Sequence, residues 1–159
     1  MNNFPTFKDF RGSFTPLNLS NHPYPVERWD QVNVSISDKK GTFRGMHYQS
    51  RIPQHKYIKV IQGSIIDYVY NLETKQVQSF YLSPTTASEL FVPKQNAHGF
   101  LTLEDNTIVC YLTEGQYDPE FEHSIPYATI PEIKASIEQN LPPDTKEVIA
   151  TEKDLKGTL

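Results

Sequence analysis

From Gln31 to Leu112 the chain is a succession of short apolar-rich runs, each cut off within a few residues by a turn. The clearest, Gln31–Ser37, alternates strictly, with Val32, Val34 and Ile36 on one face and Asn33 and Ser35 on the other. Successive side chains of a strand point to opposite faces, so this period marks a half-buried strand. Asp38-Lys39-Lys40-Gly41 turns the chain into a second strand around His47. Lys56–Ile61, Ser64–Tyr70, Gln78–Leu82, Glu89–Val92, Phe100–Leu103 and Thr107–Leu112 follow, with Ser64–Tyr70 apolar on both faces and read as central. Many short strands joined by close-set turns predict an all-β sandwich or barrel.

The period changes after Pro119. Ile130, Ile133, Ile137 and Leu141 are spaced as on one face of a helix, Pro131 suits its first turn, and Pro142-Pro143 ends it. The tail Glu147–Leu159 is polar, and its composition predicts a loose end.

A chain of 159 residues, 37% hydrophobic, suits one domain over 1–159 with a real core. Its net charge of −4 argues against sequence-independent binding of nucleic acid, while a local group of Arg and Lys could still hold an anionic small ligand. No apolar run approaches the roughly 20 residues that span a membrane. The start, Met1-Asn2-Asn3-Phe4-Pro5, lacks the basic-then-apolar pattern of a secretion leader. The single Cys110 cannot form an internal disulfide and reads as a buried, reduced thiol. Together these predict a cytoplasmic protein.

Chemistry concentrates in Gly41–Gln49. Strand alternation puts Phe43, Gly45, His47 and Gln49 on one face and Arg44, Met46 and Tyr48 on the other, with Gly45 leaving room for a close approach beside His47. Histidine alone exchanges a proton near neutral pH from an unperturbed pKa of roughly 6.5. His47, then Gly63, then Pro93-x-x-x-x-His98 is the outline of a cupin, a small double-stranded β-helix or jelly roll. Metal-holding cupins carry a second histidine at i+2 and a carboxylate soon after. Here i+2 is Gln49, no Asp or Glu lies between Gln49 and Gly63, and His47, Gln49 and His98 make a poor neutral set for a divalent ion. No metal is expected.

A sharper resemblance is to the dTDP-4-dehydrorhamnose 3,5-epimerases, cupins without a metal that epimerise nucleotide-linked 4-keto sugars. Lys40-Gly41-Thr42-Phe43-Arg44-Gly45-Met46-His47-Tyr48-Gln49 is close to that family's K-G-x-x-R-G-L-H-[YF]-Q. Asp9-x-Arg11-Gly12-x-Phe14, Lys56 with Val60 and Gly63, Pro93 through Phe100, Tyr111 with Tyr117, Pro119 and Glu122, and Lys153-Asp154 match further motifs in order.

The resemblance implies an isomerase without cofactor that epimerises a nucleotide-linked 4-keto-6-deoxy sugar at C3, C5 or both, in the making of deoxysugars for surface polysaccharide. It implies a cupin jelly roll with a short C-terminal helix, and a homodimer in which Arg11 reaches its partner's site. His47 would be the base with Asp154 polarising its ring, Tyr111 the acid, and Lys56 the cation at the enolate oxygen with His98 near it. Arg11, Arg44 and Lys153 would bind the diphosphate, Gln31, Asn33 and Glu122 would contact substrate, and Tyr117 would stack on the base. For Asp154 to meet His47, the tail would have to fold back over the barrel mouth.

The residue types suit that chemistry. A carbon acid beside a ketone needs a base at its proton, a cation or donor at the oxygen, and an acid on the far face. Arginine's planar fork suits a diphosphate. Departures from the family pattern are Thr15-Pro16-Leu17-Asn18 where a carboxylate is usual, Leu112 for lysine, Gln116 before Tyr117, and His123-Ser124-Ile125-Pro126-Tyr127 for R-x-I-x-W. They suggest related chemistry on a different nucleotide sugar. Three other readings are a nucleotide-sugar 3,4-ketoisomerase, which Tyr48-Gln49 disfavours, a silent nucleotide-sugar-binding cupin, and a metal-dependent cupin oxygenase.

Overall fold

The computed structural model describes residues 4–158; residues 1–3 and 159, on which the leader expectation and the end of the tail fall, lie outside the described residues. Among the described residues eleven strands form: β1 (Phe7–Asp9), β2 (Gly12–Phe14), β3 (Gln31–Ser37), β4 (Phe43–Gln49), β5 (His55–Gln62), β6 (Ile65–Asn71), β7 (Val77–Leu82), β8 (Glu89–Val92), β9 (Asn96–Thr102), β10 (Thr107–Glu114) and β11 (Glu122–Ser124). Two helices close the chain, α1 (Pro131–Asn140) and α2 (Glu152–Lys156). A four-stranded sheet runs β3-β10-β5-β8 and a five-stranded sheet β11-β4-β9-β6-β7, while β1 and β2 pair only with each other. This is the predicted jelly roll. The central strand of the larger sheet is β9, and β6 lies between it and the edge strand β7.

The core is layered. Ile58, Val60 and Val109 of one sheet meet Ile65, Val69 and Phe100 of the other in the space between them. On the far face of the larger sheet, Ile133 and Ile137 of α1 pack on Phe43, Met46, Tyr68 and Leu101, which accounts for the helical period read in the sequence. On the far face of the smaller sheet, Phe4 and Trp29 cover Tyr57 and Leu112. No helix among the described residues is long and apolar enough to cross a membrane.

Three expectations are corrected. Alternation in β3 holds, but its apolar face is bare: Val32, Val34 and Ile36 are each more than half exposed. Alternation fixes which residues share a face, and β3 is an edge strand whose outer side no other described residue covers well. Cys110, opposite Val34 on that side, is half-buried instead of buried. The tail is not loose. Ile149 bonds to Gly41 and Phe43, and α2 is capped by the Thr151 hydroxyl, which accepts from the Asp154 amide.

Candidate active site

Strand β4 carries His47, and a break in its pairing sets where that ring points. Arg44 lies opposite Phe100 and His47 opposite His98, so Gly45 and Met46 together face the single residue Gly99. An extra residue of this kind is a bulge, and it shifts the phase of the strand. Phe43 and Met46 therefore both pack outward under α1, while Arg44 and His47 both line the cleft. The predicted faces are thus wrong at this point: Phe43 does not share His47's face, and Arg44 does. Gly45, at φ +130°, serves a close approach as expected, but of backbone; an added Cβ would lie 2.5 Å from the Gly99 Cα.

The imidazole of His47 is backed by Asp154, with Nε2 at 2.6 Å from Oδ1. The His47 side chain is 30% exposed and that of Asp154 only 6%, so the ring is open to the cleft while the carboxylate is largely buried. Asp154 also accepts from the Ser124 hydroxyl at 3.0 Å and the Gly45 amide at 3.3 Å. Burial pushes this carboxyl up, but the three donors outweigh it and hold it below the ordinary aspartate value. An ionised carboxylate at Nε2 fixes the ring proton there and leaves the lone pair of Nδ1 for other work.

The facing sheet supplies a lysine and a tyrosine. Lys56 on β5 is buried, and burial pushes its ammonium down to about 8, with Glu122 and Asp67 pulling the other way. Tyr111 on β10 is pushed up, first by burial and then by the Glu122 carboxylate, so it holds its proton firmly. Both line the same cavity of about 670 Å³ as His47, Arg44, Asn33, His98, Lys153 and Asp154. A second hollow of about 320 Å³ shares Asn33, His47, Lys56 and Tyr111 with it and adds Gln31, Tyr117 and Glu122. At its rim Glu122 Oε2 accepts from Lys153 at 2.7 Å and from the Tyr117 hydroxyl at 2.9 Å. Burial would raise Glu122, yet these donors and nearby His47 hold it down.

Arg11 stands apart. It pairs with Asp9 on the exposed β1–β2 hairpin and lines neither hollow of the cleft. Asp67 was missed by sequence reasoning. It is fully buried on β6 and accepts from His98 Nε2 at 2.7 Å. Burial pushes its carboxyl up, opposed by His98 and Lys56. The available signal was a lone carboxylate inside Ile65-Ile66-Asp67-Tyr68-Val69, a run otherwise apolar. Ser124, the second support of Asp154, had no such signal. Several departures from the family pattern fall outside the cleft. Leu112 lies in the outer aromatic cluster, Tyr127 packs edge-on to Phe43, and His123 bonds to Ser50.

A jelly roll whose cleft sets a carboxylate-backed histidine against a tyrosine and a buried lysine is a cupin with titratable groups on both walls of one cavity. The family model for dTDP-4-dehydrorhamnose 3,5-epimerase matches residues 3–159, and the chain belongs to that family. The dTDP-4-dehydrorhamnose 3,5-epimerase of Methanothermobacter thermautotrophicus is 37% identical over 105 residues, covering 63% of this chain and 56% of that protein. That of Streptomyces griseus is 29% identical over 158 residues, 93% of this chain and 75% of that one. The chain spans about half the length of the first curated relatives it matches, 56% for the archaeal protein and 50% for that of Mycobacterium tuberculosis. Among solved structures, dTDP-4-dehydrorhamnose 3,5-epimerase from Bacillus anthracis, with TDP and pyrophosphate bound, superposes with a TM-score of 0.78 at 30% identity, covering 98% of this chain and 90% of that one. The Legionella pneumophila epimerase in complex with dTDP-4-keto-L-rhamnose gives 0.74 at 27% identity, covering 95% and 81%.

Proposed function

We propose that the chain epimerises a nucleotide-linked 4-keto-6-deoxy sugar at C3, C5 or both. The observation that carries this reading is the placement of His47, backed by Asp154 of α2, on one sheet and of Tyr111 and Lys56 on the facing sheet, around one cleft. Inversion at carbon needs a base on one face and an acid on the other, and two opposed sheets supply them from opposite sides.

In this reading Nδ1 of His47 takes the proton beside the ketone, and the electrons of the C–H bond pass into an enolate. The Lys56 ammonium, with His98 nearby, holds the enolate oxygen. Tyr111 then gives its proton to the same carbon from the other face, and the enolate electrons form the new C–H bond. His47 loses its proton to solvent and Tyr111 regains one, so no cofactor enters. Arg44 and Lys153 hold the diphosphate, Gln31, Asn33 and Glu122 contact the substrate, and Tyr117 stacks on the base. One domain over 1–159, a cytoplasmic setting and an end use in deoxysugars for surface polysaccharide belong to the same reading.

The test is to incubate the protein with dTDP- and UDP-linked 4-keto-6-deoxyhexoses and follow the sugar by NMR. A new epimer with its ketone still at C4 is the expected result. A ketone moved to C3 would mean a ketoisomerase, and tight binding without turnover a binding module.

The working form is a homodimer. Val32, Val34 and Ile36 are bare on the edge strand, Phe7 and Phe14 are mostly exposed on the hairpin, and Phe10 is 99% exposed. A second copy would cover such a surface, and the crossing hairpin would bring Arg11 to its partner's cleft. Light scattering should give twice the chain mass, and Arg11→Ala should raise KM; a fully active monomer would overturn this.

Lys56 sets a pH limit. A group depressed to about 8 is charged below that pH and neutral above it. The value of kcat/KM, which reports the free enzyme, should therefore fall about tenfold per pH unit above roughly pH 8. In Lys56→Met the rate should already be low and this alkaline limb should vanish. An unchanged limb in that variant would place the titration elsewhere.

A further inference from the structure

Gln49 ends β4, two residues beyond His47, at the position where a metal-holding cupin would place its second histidine. Its carboxamide is instead turned to backbone. Nε2 donates to the carbonyls of Ile52 and Gln116, both at 2.9 Å, and less closely to that of Arg51 at 3.3 Å. Oε1 accepts from the amide of Asp118 at 2.8 Å. The side chain is buried, with the residue only 6% exposed. Gln116 and Asp118 are the two neighbours of Tyr117, so one side chain anchors the backbone on both sides of that tyrosine.

The far end of Tyr117 is anchored as well, by its hydroxyl on Glu122. Glu122 is the direct cross-strand partner of Gln49. Both ends of Tyr117 therefore hang on a single rung of the β4–β11 ladder, the same strand that carries His47. Between those anchors the tyrosine is 50% exposed beside the cleft. A half-bare aromatic ring fixed at both ends is a platform for a planar group, not a core residue.

We propose that Gln49 is a positioning residue for nucleotide recognition: it sets the Tyr117 ring at a fixed offset from His47, so that a base stacked on Tyr117 places the sugar at the histidine. Only the identity of the planar ligand rests on the epimerase reading; the positioning of Tyr117 does not. Gln49 touches neither the reacting carbon nor the enolate oxygen. Its loss should weaken binding and leave chemistry in the bound complex.

The test uses the full chain, TDP as probe, and the variants Gln49→Met, Tyr117→Ala and the double variant. Loss of one stacked base typically weakens binding about tenfold or more. Each single variant should raise the Kd for TDP by that order. The double variant should bind no more weakly than either single one, because a ring that is no longer placed has nothing left to lose. In Gln49→Met, KM should rise with Kd while kcat stays within about threefold. Additive losses in the double variant, or an unchanged Kd, would overturn the proposal.

A second readout needs no ligand. In the parent protein the Asp118 amide should exchange with deuterium as slowly as amides inside β4, and in Gln49→Met much faster. Fast exchange in the parent, which requires no variant to fold, sinks the idea. If the parent shows no affinity for TDP while the Asp118 amide behaves as described, the positioning stands and the nucleotide-sugar reading falls.

Discussion

Replacing His47 by Asn is expected to stop the exchange of the substrate's C–H protons with solvent. His47 is partly open to the cleft and is backed by a three-donor carboxylate. His98, the other imidazole lining the cleft, is buried against Asp67. Asparagine keeps the size and a hydrogen-bonding end but cannot accept a proton near neutral pH. General acid–base groups contribute typically about 10²–10⁴-fold, so turnover should drop by at least that range. Because the loss precedes the enolate, exchange and inversion must fall together. The check is deuterium incorporation followed by NMR beside the parent. Substantial exchange in His47→Asn would mean that another group opens the enolate.

The second large effect is expected from the tail. Deleting the residues after Ala150 removes Asp154 and Lys153 but leaves the Ile149 bonds to Gly41 and Phe43. The two sheets and α1 keep their own cores, so far-ultraviolet circular dichroism and cooperative melting should survive. Activity should not. Without the carboxylate, nothing holds the His47 proton at Nε2 or stabilises the imidazolium that forms. The loss behind a buried His–carboxylate pair can reach the order of 10⁴-fold. Asp154→Asn in the full chain should reproduce most of it with the tail still in place. Full activity in the truncated protein would remove Asp154 from the mechanism.

The strands of this chain were legible because their apolar period is short and the turns between them are rich in Gly, Pro, Asn and Asp. Glu89–Val92 falls where the sequence puts it, and α1 lies under the Ile133–Ile137 stripe. The orientation of β4 was not legible. A bulge between Arg44 and His47 reverses the phase of the alternation, and period-two reasoning has no term for an inserted residue. The outer face of β3 misled for another reason. An apolar stripe predicts burial, but it does not say by what, and here the stripe stays more than half exposed among the described residues.

The site divides along the same line. His47, Lys56 and Tyr111 sit on strands that the periodicity anticipates; His98, ahead of the expected strand Phe100–Leu103, lies inside β9, which begins at Asn96, and the four line one cleft. Asp154 lies in a segment whose composition says loose. Only the motif placed it near His47, and the cause is local: three donors waiting in β4 and β11. Asp67 was hidden by its apolar neighbours. Arg11 belongs to a hairpin that lines a separate hollow of its own.

The account turns on proton removal from one face and proton return from the other. Its most direct test is the Tyr111→Phe variant, incubated with a dTDP-linked 4-keto-6-deoxyhexose in deuterated water. This change removes only the hydroxyl and leaves His47 of the opposite sheet paired with Asp154. The variant should still form the enolate and take deuterium back from the His47 side, so NMR should show deuterium at the epimerisable carbon with configuration retained and inversion slowed by about 10²-fold or more. Inversion at the parent rate would contradict the account and leave Tyr111 a core residue.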